Sequence, residues 1–307
     1  MDDLDPGLMG ESAAVLTSFL WTGSSLFFTS AGRKIGAFSV NAYRTTMAIV
    51  LLVSAHVVFL GAVLPAASSG QWFWMGLSGV VGLGIGDFGL FAAYVTVGPR
   101  LAVLVQASSP IFASVGAFML FGETISALSM LGVAITLTGI IVVVLEEEAS
   151  KLWAEAKKQR RWGLLFALVA AMGQGFGAAL SKKGMYFGVS EAMNPVSAAL
   201  IRMLLAGVFV WTCTLFAGKL PDIQKAFRNS KGIKYTAAGA LIGPFIGMTL
   251  SMLALANAQT GVAQTLMSLM PIFIIPFVWI IYREKTRWLG MLGAIVAVTG
   301  VAILFLA

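Results

Sequence analysis

Ten stretches of about twenty mainly apolar residues follow one another along this chain. They lie at roughly 10–32, 38–61, 72–96, 99–121, 126–146, 162–186, 192–217, 233–256, 260–282 and 287–306. Such a length spans a hydrocarbon core about 30 Å thick when coiled as an α-helix. Only a helix or a closed barrel satisfies every backbone N–H and C=O in lipid. The pattern predicts an all-α integral membrane protein with ten transmembrane helices. Composition argues against a soluble alternative. Hydrophobic residues make up 59% and charged residues 11% of the 307 positions, where a soluble domain carries about 25% charged residues. The acidic start, MDDLDPGLMGE, lacks the basic region that opens a cleavable signal peptide, so the first helix is expected to be retained.

The chain repeats itself. Pro110-Ile111-Phe112 recurs as Pro271-Ile272-Phe273, an offset of 271 − 110 = 161. The same offset relates Glu123 to Glu284, Leu131-Gly132 to Leu292-Gly293, Thr138-Gly139 to Thr299-Gly300, and Gly82 and Gly86 to Gly243 and Gly247. Arg44 and Arg202 hold matching places in the second and seventh spans. The division is a first repeat over 1–146, a polar linker over 147–161 and a second repeat over 162–307. The stretch EEEASKLWAEAKKQRR runs from acid to base, the order that suits a short surface helix. Five spans per repeat is an odd number, so the second repeat enters the membrane from the opposite side. That makes an inverted-topology repeat, as in many secondary transporters.

The net charge of +7 does not point to nucleic acid, because the basic residues sit in short connections between apolar runs. Sixteen of the twenty Lys and Arg fall in the 1–2, 3–4, 5–6, 7–8 and 9–10 connections, and only Lys182 and Lys183 fall on the other face. The positive-inside bias puts the richer face in the cytoplasm and both termini outside a multi-pass cell-membrane protein.

Within the spans, Asp87 is the exceptional residue. An ionised carboxylate at mid-bilayer costs roughly 3 kcal/mol on insertion scales, so it must be neutralised, paired or wet. It is read as a substrate or proton site, beside the blander reading of a helix–helix polar contact. Gly84-Ile85-Gly86-Asp87 has the GxGD form of an aspartyl protease, but every other carboxylate lies in a tail or connection, and that chemistry needs two sharing a proton. His56 is expected to be a packed polar group without a catalytic partner, and the lone Cys213 excludes an internal disulfide. No catalytic residue, metal site or cofactor is expected, and no Walker-type loop is present.

Polar uncharged residues cluster in the first, fourth, sixth and ninth spans: Trp21, Gln106, Ser109, Gln174, Gln264 and Ser268 among them. With Asp87 and Tyr94 they are the candidates for a substrate cavity; interhelical hydrogen bonding is the alternative for about half of them. Glycines spaced by four, 82/86, 173/177 and 243/247, are expected to let helices approach closely.

The duplicated "P-I-F … G/R-E … L-G … T-G" segments, the two arginines and Trp21 in a polar first span resemble the ten-helix, EamA-type members of the drug/metabolite transporter superfamily. That resemblance covers nearly the whole chain. It implies two five-helix bundles around a central cavity, alternating access, and substrates among amino acids, other metabolites and nucleotide sugars. It also implies cytoplasmic termini, where the charge count places them outside; the count is followed. The expectation is therefore a secondary transporter for a small polar or amphipathic metabolite, an amino acid being one candidate, working outward. The alternative is a membrane scaffold or sensor that binds a small molecule without moving it. Its partners would be that solute and membrane lipid, with proton coupling or exchange, and the chain would be a monomer or dimer. Inverted symmetry then pairs Arg44 with Glu284 and Arg202 with Glu123 as gating latches. The plainer alternative lets each arginine reach to headgroups and each glutamate cap the following helix.

Overall fold

A computed structural model describes residues 5–97, 102, 105–148, 157–273 and 288–306. Every regular element among them is helical. The helices are α1 (Pro6–Ile35), α2 (Ala37–Leu60), α3 (Ser69–Ser78), α4 (Asp87–Thr96), α5 (Ser109–Phe121), α6 (Ala127–Glu148), α7 (Lys157–Met185), α8 (Pro195–Phe216), α9 (Leu220–Phe227), α10 (Ser230–Ala240), α11 (Met248–Asn257), α12 (Thr260–Met267) and α13 (Trp288–Phe305). Six spans among the described residues are long and apolar enough to cross a membrane, and three shorter apolar helices accompany them. Phe73, Phe118, Val58 and Phe216 stand more than half exposed, as side chains facing lipid would.

Two spans are not plain α-helices. Wider π-helical segments join α3 to α4 (Gly79–Gly86) and α10 to α11 (Leu241–Gly247). Their last residues are 247 − 86 = 161 positions apart, the repeat offset. The sequence explains both. GVVGLGIG supplies little side-chain packing to hold a regular turn, and Pro244 in LIGPFIG has no N–H for a normal turn. Such bulges are frequent at functional sites.

The packing crosses between the two sequence halves. First-half α3, α4 and α5 pack on second-half α7, while second-half α10, α11 and α12 pack on first-half α1. The two outer helices α6 and α13 lie against each other, and α2 lies against α8. The chain thus forms two interleaved groups, each built from both halves. Glycine makes the closest contacts possible. A Cβ at Gly173 would lie 2.7 Å from the Cα of Gly86, and one at Gly177 would lie 3.0 Å from the Cα of Gly82. The repeated glycines of the fifth and last spans meet likewise: a Cβ at Gly139 would lie 2.5 Å from the Gly293 carbonyl. The buried core between the groups includes Leu52, Met75, Met185, Leu200, Met252 and Leu266.

Two further differences concern the connections. The expected surface helix over 146–161 is replaced at its ends: Glu146 to Glu148 finish α6 and Lys157 to Arg161 begin α7; the stretch between lies outside the described residues. The 7–8 connection carries an extra amphipathic helix, α9, whose Ile223 and Ala226 are buried and whose Ile223 carbonyl accepts from the Tyr43 hydroxyl at 2.8 Å. Eight residues were too short to register among twenty-residue apolar runs.

Gly173→Ala should lower stability by about 1–3 kcal/mol through overpacking. Gly32→Ala, where a Cβ meets nothing within 4 Å, should be neutral or stabilising. Thermal unfolding of the purified full-length protein compares them. Equal effects would show that the glycine contact between these helices does not limit packing.

Candidate functional site

Asp87 opens α4 directly after the π-helical turn, and three elements converge on it. From α2, the Arg44 guanidinium makes an ion pair with Oδ2. From α7, Gln174 Nε2 donates to Oδ1 at 3.0 Å and lies 3.5 Å from the Gly82 carbonyl. Asp87 is 6% exposed. Both carboxylate oxygens are therefore satisfied, which removes most of the penalty for burying the group. Arg44 is itself held by Asn41, whose Oδ1 accepts from Nε at 2.8 Å, and it lies over the Phe28 ring at 5.6 Å. Phe38 and Phe88 meet edge to face beside the pair, with centroids 5.8 Å apart. The partners found are a cation and an amide, which is not the paired-carboxylate arrangement of an aspartyl protease.

A second polar cluster joins the interleaved groups at the end where α7 finishes and α12 starts. Glu123 accepts from the Thr260 backbone N–H, and from Thr260 Oγ1 at 3.0 Å. Lys182 Nζ lies 3.2 Å from the same carboxylate and donates to the Ala258 carbonyl at 2.7 Å. Tyr186 donates to the Ala256 carbonyl at 2.7 Å. Glu123 thus caps the N-terminus of α12 from across the molecule.

The expected pairing of Arg202 with Glu123 is not made. Glu123 is taken by Lys182 and Thr260, and Arg202 points between α7 and α11, where its Nη1 meets Met248 Sδ at 3.6 Å. Sequence placed the two groups at similar depth but not around the bundle. Glu284, the expected partner of Arg44, lies outside the described residues; among the described residues Arg44 makes an ion pair with Asp87. The repeat is kept in three dimensions all the same. Arg44 reaches Asp87, and its counterpart Arg202 reaches Met248, the residue 248 − 87 = 161 positions on.

The other sequence candidates divide. Gln264 donates to Ser109 Oγ at 3.2 Å, linking α12 to α5, and both are buried. Ser268 turns back to the Gln264 carbonyl of its own helix at 2.8 Å. Trp21 is half-buried, with its indole edge against Gly247 of the second π-helical segment. Gln106 is half-buried just before α5. The side chain of Tyr94 lies outside the described residues. Of the neighbouring hydroxyls, Ser24 donates to the Gly239 carbonyl at 2.9 Å, and Ser78 and Ser181 bond each other at 2.6 Å. These are helix–helix bonds. Sequence reading missed Lys182, Thr260 and Met248 because nothing local marks a distant contact. It also gave His56 no partner. In the fold, Ser197 Oγ lies 3.0 Å from its Nε2, and the Ala62 carbonyl accepts at Nδ1.

Arg44→Gln and Asp87→Asn should each cost about 3 kcal/mol, because each removes one member of a largely buried ion pair. The double variant should be milder than their sum by at least about 1 kcal/mol. Denaturation of the four proteins in one detergent reads the coupling; simple additivity would dissolve the pair.

Comparison with known proteins agrees with this architecture. A solved crystal structure superposes on 97% of this chain and 98% of its own, with a TM-score of 0.77 at 16% identity, which shows a shared fold. In all, 30 chains of solved structures match. No curated protein matches the sequence. The profile of the EamA-like transporter family matches residues 8–145 and again 161–306. The chain, a multi-pass membrane protein, belongs to the EamA-like transporter family.

Proposed function

We propose that this protein is a secondary carrier that moves a small polar or amphipathic metabolite outward by alternating access, an amino acid being the first class to try. It does so as ten membrane-crossing helices in two inverted repeats, 1–146 and 162–307, joined by the 147–161 linker. It performs no catalysis and uses exchange or proton coupling, for which Asp87 is the carboxylate in reach.

One observation carries the reading. Two separate polar clusters, Arg44–Asp87–Gln174 and Glu123–Lys182–Thr260, are among the contacts that tie the two halves together. A rigid scaffold has no need of contacts that open and close. Alternating access instead needs contacts that can open at one end while those at the other hold. Each cluster ties residues that are far apart in the chain, through few side chains, with the smooth glycine seams left within each group. Rocking of one group on the other then breaks one cluster at a time.

Counterflow in proteoliposomes tests the carrier. Preloading with an unlabelled solute should drive transient accumulation of its labelled form for at least one amino acid or related metabolite. Glu123→Gln should slow that flux several-fold while the protein stays folded. Stabilisation by a solute without any counterflow would instead establish the binding-only sensor.

Orientation is proposed from the sixteen-to-two charge bias: termini outside, and the exposed 7–8 connection in the cytoplasm. Lys231→Cys in a Cys213→Ser background should resist an impermeant thiol reagent on intact cells and react after permeabilisation. Labelling of intact cells would reverse the assignment.

A further inference from the structure

The two arginines are equivalent by the repeat but not by their surroundings. Arg44 has its carboxylate. Arg202 has a thioether, a weak neutral acceptor, where that carboxylate would stand. Arg202 is 4% exposed, and among the described residues its Nε has no hydrogen-bond partner. Asp87 is a carboxylate whose charge acts on it, and both oxygens of Asp87 are engaged by Arg44 and Gln174. Room for the guanidinium is kept by glycine: a Cβ at Gly82 would lie 2.6 Å from Nη2, and one at Gly177 would lie 3.4 Å from it. A buried guanidinium without an anion is costly, so a site that retains one has a use for it.

A second cation lies towards the same end of the bundle. Lys183, near the end of α7, donates to the Leu120 carbonyl at 3.2 Å. Among the described residues no carboxylate lies within 4 Å of it; Lys182 beside it has Glu123. Both lysines line a cavity of about 510 Å³ with Phe121, Tyr186 and Phe187. Arg202 lies seven residues into α8 from that end, about 10 Å deeper at the helical rise. Positive charge thus recurs at this end of the bundle and about 10 Å further in.

We infer that Arg202 is an anion-recognition residue, and that the carboxylate of a small solute takes the place beside Met248 that Asp87 fills beside Arg44. The inference rests on the carrier reading and names its substrate class: solutes bearing a carboxylate, with apolar surface against Met248 and the glycine seam. In the solute-free protein the guanidinium leans on Met248. On binding, a bidentate guanidinium–carboxylate contact replaces the thioether.

The purified full-length protein, titrated with sodium propionate against sodium chloride at constant ionic strength, tests the site by thermal shift. Propionamide, which has the same shape without the charge, is the control. Wild type and Met248→Leu should be stabilised by propionate and not by propionamide, since a ligand of the folded state raises Tm. Arg202→Gln should lose the shift. Met248→Asp installs the missing carboxylate, so it should be at least as stable as wild type before addition and should also lose the shift. A propionamide shift equal to that of propionate, or a Met248→Asp variant that still answers propionate, would overturn the site. The two readings separate in the outcomes. Counterflow of a carboxylate-free solute with no propionate shift removes the anion site and keeps the carrier. A propionate shift abolished by Met248→Asp, with no counterflow of any solute, keeps the site and removes the carrier.

Discussion

Asp87 sits in the middle of an apolar span, and the arrangement around it follows from the need to neutralise it there. The group is buried, so its two oxygens need protein donors. Arg44 and Gln174 supply them from two different helices. To bring those helices within reach, the third span must approach α7 at backbone distance, which the interlocked glycines permit. The side chain must also be turned by the π-helical segment that precedes it. Charge, glycine seam and bulge are one solution to one desolvation problem.

The same frame is laid down twice, and the second copy lacks the acid. Where Asp87 stands in the first half, Met248 stands in the second, after a bulge at the equivalent place. The arginines are kept in both. Among the described residues the interior therefore carries one guanidinium paired with a carboxylate and one that meets a thioether. An inverted pair of repeats with identical side chains would treat the two membrane faces alike. This difference is a chemical reason for the two ends to behave differently, and it places the asymmetry beside the helices that contact both groups.

The interleaving of the halves bears on how such a molecule moves. Because α7 packs with α3, α4 and α5, and α1 with α10, α11 and α12, the units that pack together are not the sequence halves. They are two mixed groups, each with one bulged span. The seams inside a group are tight and made of glycine. Contacts between groups include a few polar side chains that are far apart in sequence. Tight seams resist shear, and sparse polar contacts can be exchanged.

Sequence alone determined the class of solvent this chain folds in, its helical architecture and its duplication, because those follow from residue composition along one dimension. The twenty-residue runs, the offset of 161 and the glycine pairs are all local or periodic, and they foretold the family and the close helix approach, while the π-helical segments came only with the structure. Asp87 and Gln174 were legible as site candidates because a carboxylate or amide in an apolar run is conspicuous wherever it points. The partners were not legible. Arg202 and Glu123 have suitable charge and depth, but helical phase and neighbour order turn them to Met248 and to Lys182 with Thr260. The sequence fixes how far into the membrane a side chain lies. Only the tertiary packing decides which neighbour it faces there, because the angle around the bundle is set by contacts among all the helices at once.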